Sequence, residues 1–196
     1  LCTVRGYRYS KRAKREADIS KRIQWVLIFA YLATIYATLG IAPRVWEIID
    51  AGFGGAGRQV AGGSLLGVMI FYLIYMVFVR RERSIAAYYY YFMVVFIFIL
   101  LNFLAEYPAE KIHLFEYFIL GIMVLNVLDV KKELFSLKKV VTAIVVCVSA
   151  GIIDEVLQYI LPGRVFDWRD IGLNSASSFL AFIYVFKISA KKVKTY

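Results

Sequence analysis

The chemistry in this 196-residue sequence gathers between residues 110 and 174. Glu110, Lys111, the chain's only histidine His113, Glu116 and Tyr117 follow one another closely. On a helix, spacings of three and four put His113, Glu116 and Tyr117 on one face. Asp154, Glu155 and Gln158 form a second group with the same spacings. After Leu161-Pro162-Gly163 come Arg164, Asp167, Arg169, Asp170 and Asn174, the last two again four apart. An imidazole beside a carboxylate is a candidate general base, and the adjacent Asp154 and Glu155, whose titrations couple, are a candidate proton-sharing acid. Taken together, His113, Glu116, Asp154 and Glu155 are also nitrogen and oxygen donors of the kind that hold zinc or manganese. Arginines bind phosphate or carboxylate by paired hydrogen bonds, while carboxylates and amides accept from amines and hydroxyls. The bland alternative is that Arg–Asp and His–Glu pairs merely clamp helix ends. For Arg164, Asp167, Arg169 and Asp170 in the turn, clamp and ligand site weigh equally. For the other two groups function is favoured, because a clamp needs one pair and this set collects acids, an amide and the lone histidine.

The elements that must carry these residues are membrane helices. Hydrophobic residues make up 61% of the chain, above the roughly 45–50% of globular proteins, and the mean hydropathy is +0.68. A chain of this length buries so much apolar surface only as a compact bundle in lipid. A crossing helix needs about 20 apolar residues. About six stretches qualify, near 23–42, 64–79, 85–104, 111–130, 140–161 and 170–189. The first is long enough to remain as a signal anchor, so no cleavable leader is expected. The break at 43–63, with Pro43, Trp46 and many glycines, reads as the one substantial loop. At 1.5 Å per residue, His113, Glu116, Asp154, Glu155 and Asn174 sit on the order of 5–11 Å inside the outer ends of their spans.

Charge sets the orientation. Of the 24 lysines and arginines only Arg44, Arg58, Lys111, Arg164 and Arg169 fall on one side of these spans. The rest fall on the other: Arg5, Arg8, Lys11, Arg12, Lys14, Arg15, Lys21 and Arg22, then Arg80, Arg81, Arg83, Lys131, Lys132, Lys138, Lys139, Lys187, Lys191, Lys192 and Lys194. The rich side is cytoplasmic, so both termini are inside. The net charge of +10 is thus juxtamembrane charge for anionic lipid headgroups, not a nucleic-acid surface. Residues 1–22 read as a basic cytoplasmic segment, either interfacial helix or irregular arm, and 23–196 as one transmembrane domain.

Three smaller features have plain readings. Gly52, Gly54 and Gly57 fit a dinucleotide-binding pattern, but that pattern needs a preceding strand in a βαβ unit, so a loop is expected. Tyr88 to Tyr91 open the third span as an interfacial aromatic belt. Cys147 reads as a buried structural thiol, with no disulfide to Cys2 in the basic tail.

On the outer side, Glu110, Glu116, Asp154, Glu155, Asp167 and Asp170 oppose only Lys111, Arg164 and Arg169. Uncompensated charge in a low-dielectric setting is untenable, so an acid is protonated, water penetrates, or a cationic ligand or metal enters.

At these residues the chain resembles the VanZ-like family of bacterial membrane proteins. The resemblance rests on Glu110-Lys111-Ile112-His113-Leu114-Phe115-Glu116-Tyr117 with Leu120-Gly121, on Gly151-Ile152-Ile153-Asp154-Glu155-Val156-Leu157-Gln158, and on Leu161-Pro162-Gly163-Arg164-Val165-Phe166-Asp167-Trp168-Arg169-Asp170 with Asn174. Histidine, glutamate, tyrosine, the Asp-Glu pair, glutamine, P-x-R, the two later aspartates and asparagine come in the family's order. The match is strong over the C-terminal half. Where family members often carry two glycines, this chain has Ser177 and Ser178. The resemblance implies an integral protein of the bacterial cytoplasmic membrane, with named members linked to low-level resistance to teicoplanin, a lipid-bearing glycopeptide.

The expectation is therefore an all-α polytopic bundle with an outer polar pocket. His113, Glu116, Tyr117, Asp154, Glu155, Gln158, Arg164, Asp167, Arg169, Asp170 and Asn174 would bind an amphiphile: an envelope lipid, a lipid-linked saccharide or a lipoglycopeptide. Its partners are that ligand and membrane lipids, with no cofactor. Two other functions stay open. One is an enzyme acting on a lipid-linked substrate with His113, Glu116, Asp154 and Glu155 as acid, base or metal ligands. The other is a structural subunit of an envelope complex.

Overall fold

The computed structural model describes residues 2–53, 57–105, 107–130, 136–162 and 164–188. Gly54, Gly163, Lys131, Lys132, Lys191, Lys192 and Lys194 lie outside the described residues. So do the side chains of Cys2, Arg5, Arg8, Lys11, Arg12, Lys14, Arg15, Pro43 and Arg58.

The described residues form seven helices: α1 (Cys2–Thr38), α2 (Ala42–Gly52), α3 (Gly57–Ile74), α4 (Ile85–Leu104), α5 (Pro108–Val127), α6 (Leu137–Ile160) and α7 (Trp168–Ile183). There is no strand among them. α3 and α7 each continue as a wider π-helical turn, Tyr75–Val79 and Tyr184–Ile188. Among the described residues two helices, α4 and α6, are long and apolar enough to cross a membrane. The other expected stretches fall short of that measure there: the apolar part of α3 with its π turn, Gly67–Val79, is shorter, and α5 carries Glu110, Lys111 and Glu116.

The basic segment is helical, one of the two forms expected of it, and runs without a helix break into the first apolar stretch. One boundary differs from expectation. The expected loop at 43–63 is largely helical. Pro43 in the first turn pre-sets helical φ, and Gly52 closes α2 instead of following a strand, which removes the dinucleotide pattern's required context.

α5 is the hub, touching α1, α2, α3, α4, α6 and α7. Its tightest seam is with α7. A Cβ on Gly121 would lie 2.7 Å from both Ala181 Cβ and the Ser178 carbonyl oxygen, so only glycine permits this crossing. Ser177 Oγ donates to the Leu114 carbonyl and Ser178 Oγ to the Tyr117 carbonyl at 3.0 Å. The serines that stand in for family glycines thus tie the seam directly.

The helices run between two chemically distinct ends. At one, Lys21 pairs with Asp129 at 2.9 Å, and Lys187 sits 5.2 Å from the Tyr90 ring centre. Asp129, at φ 52°, ends α5 in a Schellman turn, with Val130 N bonded to the Leu125 carbonyl and Asp129 N to that of Asn126. We call this the basic end. At the opposite, acidic end lie the starts of α5 and α7 and the ends of α1 and α6. Tyr36 of α1 bonds the Ala150 carbonyl of α6 there.

The tyrosine run is only partly a belt. Tyr89 faces outward, but Tyr91 is buried and donates to the Met69 carbonyl at 2.6 Å, and Tyr88 donates to the Glu82 carbonyl. Cys147 is a buried free thiol. Outward-facing Val26, Phe71, Phe92, Phe103, Val145 and Ile160 give the bundle an apolar exterior, the inverse of a water-soluble surface.

Candidate functional site

Three local signals aim the acidic end's side chains. Pro108 starts α5 with Glu110 in its first turn, where a carboxylate complements the helix dipole. Leu161, extended before Pro162, stops α6. Asp167 caps α7, its Oδ1 accepting from Arg169 N at 2.8 Å.

The cluster has a closed lower layer. Tyr117 is fully buried and donates to the Ala150 carbonyl at 3.1 Å, the same oxygen that accepts from Tyr36 at 2.9 Å. Tyr31 donates to the Glu116 carbonyl. α6 packs here at ordinary contact distance, a Cβ on Gly151 lying 3.6 Å from Asn174 Cβ and 3.8 Å from the Tyr117 ring. Above this layer His113 Nδ1 lies 2.9 Å from Glu116 Oε2. Both side chains stand within electrostatic reach of Asp154. Gln158 Nε2 donates to Asp154 Oδ2 at 3.2 Å, and Asp167 N donates to Glu155 Oε1 at 2.7 Å.

The turn residues divide between the two expected roles. Arg169 is a clamp: its Nη2 bonds Glu110 Oε1 at 3.0 Å, and its Nε lies 3.5 Å from Asp167 and 4.0 Å from Asp170. That fixes the start of α7 to the start of α5. Arg169 and Asp167, expected as ligand contacts, are thus paired within the fold. Arg164 is different. It is half-buried and bears electrostatically on Glu155, yet among the described residues no ion pair holds its guanidinium.

Three acids of the cluster are incompletely matched. Asp154 is 0% exposed and Glu155 1%, and Asp154 Oδ1 and Glu155 Oε2 have no hydrogen-bond partner in the described chain. Asp170 Oδ1 is a third such oxygen. A buried carboxylate oxygen without a partner is costly. Glu110, Glu116 and Asp167 are each matched within the fold, so the acid surplus read from the sequence resolves onto Asp154, Glu155 and Asp170.

One correction follows. No group of three or more His, Cys, Asp or Glu among the described residues is placed to hold a metal ion, the set His113, Glu116, Asp154 and Glu155 included. Two apolar cavities lie elsewhere in the bundle. One, of about 220 Å³, lies among α3, α4, α5 and the end of α7; the other, of about 300 Å³, lies between α6 and α7. Sequence reasoning missed Tyr31 and Tyr36 on α1. A hydroxyl within an apolar stretch was the available signal, but their partners are 85 and 114 residues away.

The sequence model of the VanZ/LLP1 family matches residues 65–189, the region from mid-α3 past the end of α7. No curated protein and no solved structure matches the chain.

Proposed function

The chain belongs to the VanZ/LLP1 family, and from that premise we propose that its acidic end binds the polar head of an envelope amphiphile in the outer leaflet. The ligand is an envelope lipid, a lipid-linked saccharide or a lipoglycopeptide such as teicoplanin, with a role in glycopeptide resistance or envelope biogenesis. The protein crosses the bacterial cytoplasmic membrane about six times with both termini inside. Lys21, Arg80 and Lys187 at the basic end favour that orientation.

The observation that carries this reading is Arg164, held by no ion pair among the described residues and within electrostatic reach of Glu155, together with the buried, partnerless oxygens of the adjacent Asp154 and Glu155. Arg164 would take phosphate or carboxylate oxygens. The acids and Gln158 would accept from amines or hydroxyls. The flanks fit a headgroup depth: Tyr159 and Trp168 are outward-facing, and Phe166 packs edge-on against Trp168 at 4.9 Å. Such aromatic residues favour the membrane–water interface.

The test is the amphiphile that stays with the purified full chain. Arg164→Ala is expected to reduce retention at least about tenfold, the loss of one charge-assisted contact, with normal membrane expression. Equal retention by mass spectrometry of extracted lipids contradicts the reading.

The His113–Glu116 pair favours a second reading, in which the carboxylate orients the imidazole and leaves Nε2 for a substrate proton. Turnover predicts a changed membrane lipid profile in His113→Ala cells. An unchanged profile favours binding alone.

A further inference from the structure

The geometry points to the α6–α7 cleft as the seat of an alkyl chain belonging to the same phospholipid-type amphiphile whose head lies at Asp154, Glu155 and Arg164; it rests on the headgroup reading above. Two facing stripes carry the inference. On α6, Gln158, Asp154, Gly151 and Cys147 follow at spacings of four, three and four, so they share one face. On α7, Asp170, Asn174, Ser178 and Phe182 are each four apart. Both stripes pass from ionisable groups at the acidic end to thiol, hydroxyl and ring further in. Polarity thus falls along one line, as it does along an amphiphile.

The seam between the stripes is not filled. It closes where Gly151 meets Asn174, 3.6 Å from a would-be Cβ, and reopens one turn further in. There Ile144, Cys147 and Val148 face Ser175, Phe179 and Phe182 across a cavity of about 300 Å³. From Ser175 to Phe182 this is about 10 Å of helix. The rim residues Ile144 and Phe179 are exposed to the outside of the bundle, so the cleft opens sideways, where lipid tails would lie. A chain descending from Glu155 would pass outside the Gly151 closure, over exposed Ile152, and enter beside Val148. On its other side α7 is tied to α5 through Ser177, Ser178 and Ala181.

Charge complementarity selects the head. Arg164, within electrostatic reach of Glu155, and the partnerless carboxylate oxygens suit a zwitterion with its phosphate on the guanidinium and its ammonium on the acids. The test places the full chain in phosphatidylcholine nanodiscs containing phosphatidylethanolamine with a photoactivatable group on its acyl chain. Adducts mapped by peptide mass spectrometry are expected to concentrate on residues 144–148 and 175–182 over the more exposed Phe92, Phe96 and Phe103 of α4. Uniform labelling of the exterior overturns the inference. Val148→Phe, which fills the cleft, is expected to weaken retention of this lipid about tenfold, equivalent to about two methylenes losing burial. Ser175→Leu serves the same purpose should the first variant not fold. Water-soluble glycerophosphoethanolamine, which lacks the chains, is expected to bind wild type and Val148→Phe alike. Full lipid retention by the filled cleft overturns the chain site while leaving the headgroup reading standing. Cleft labelling without glycerophosphoethanolamine binding supports the chain site and counts against the headgroup reading.

Discussion

α5 has two faces, and they differ in kind. His113, Glu116, Tyr117 and Gly121 look toward α1, α6 and α7, where hydroxyls, carboxylates and carbonyls are tied and the helices approach to glycine distance. Phe115, Phe118, Ile119 and Ile122 look toward α3 and α4, across an apolar cavity of about 220 Å³ whose polar contacts, such as Tyr72 with Tyr184 at 3.0 Å, sit at its edge. One helix therefore separates a closed polar seam from a loosely filled flank. The difference teaches that hydrogen bonds fix helix positions where apolar packing leaves space. An apolar flank can leave space at small cost, whereas carboxylates at Asp154 and Glu155 must be held in place by Gln158, Asp167 and the α7 cap if their remaining oxygens are to stay available.

The largest expected effect breaks the seam. Gly121→Ala puts a methyl 2.7 Å from Ala181 and Ser178 and is expected to lose about 3 kcal/mol through overpacking. Gly67→Ala on α3 meets nothing within 4 Å and is expected to gain up to about 1 kcal/mol in helix propensity. Unfolding in detergent measures both, and similar effects would dissolve the contrast. Next is Arg169→Ala, expected to cost about 2 kcal/mol, less than a fully buried pair because Arg169 is a third exposed. A variant as stable as wild type would return Arg169 to the ligand side. The smallest stability effect belongs to Asp154→Asn, which keeps the shape and removes the charge. Stability is expected to stay level or rise by about 1 kcal/mol while retention of the amphiphile falls, since a charge kept for binding is not kept for folding. A clear loss of stability would make Asp154 a structural acid.

Much of this was legible in the residues themselves. Spacings of three and four placed His113 beside Glu116 and Gln158 beside Asp154, because on a helix those contacts are local. The span at 85–104 coincides with α4, whose ends are marked by charge and by Ala105. Long-range pairings were not legible: which of Arg164 and Arg169 would be the clamp depended on where Glu110 arrives from 59 residues away. Glycine composition misled at 43–63, since Pro43 and the apolar residues behind it start a helix there. The role of Ser177 and Ser178 was half-readable, as small residues promise a close approach but not the carbonyls that receive their hydroxyls.

The most direct test of the headgroup claim is the shift in melting temperature of the delipidated full chain when phosphatidylethanolamine is added back in detergent, because a ligand that binds the folded state stabilises it. Wild type and an Arg44→Ala control, altered at an exposed cation outside the cluster, are expected to shift upward equally, and Arg164→Ala is expected not to shift. An equal rise in all three would contradict the account.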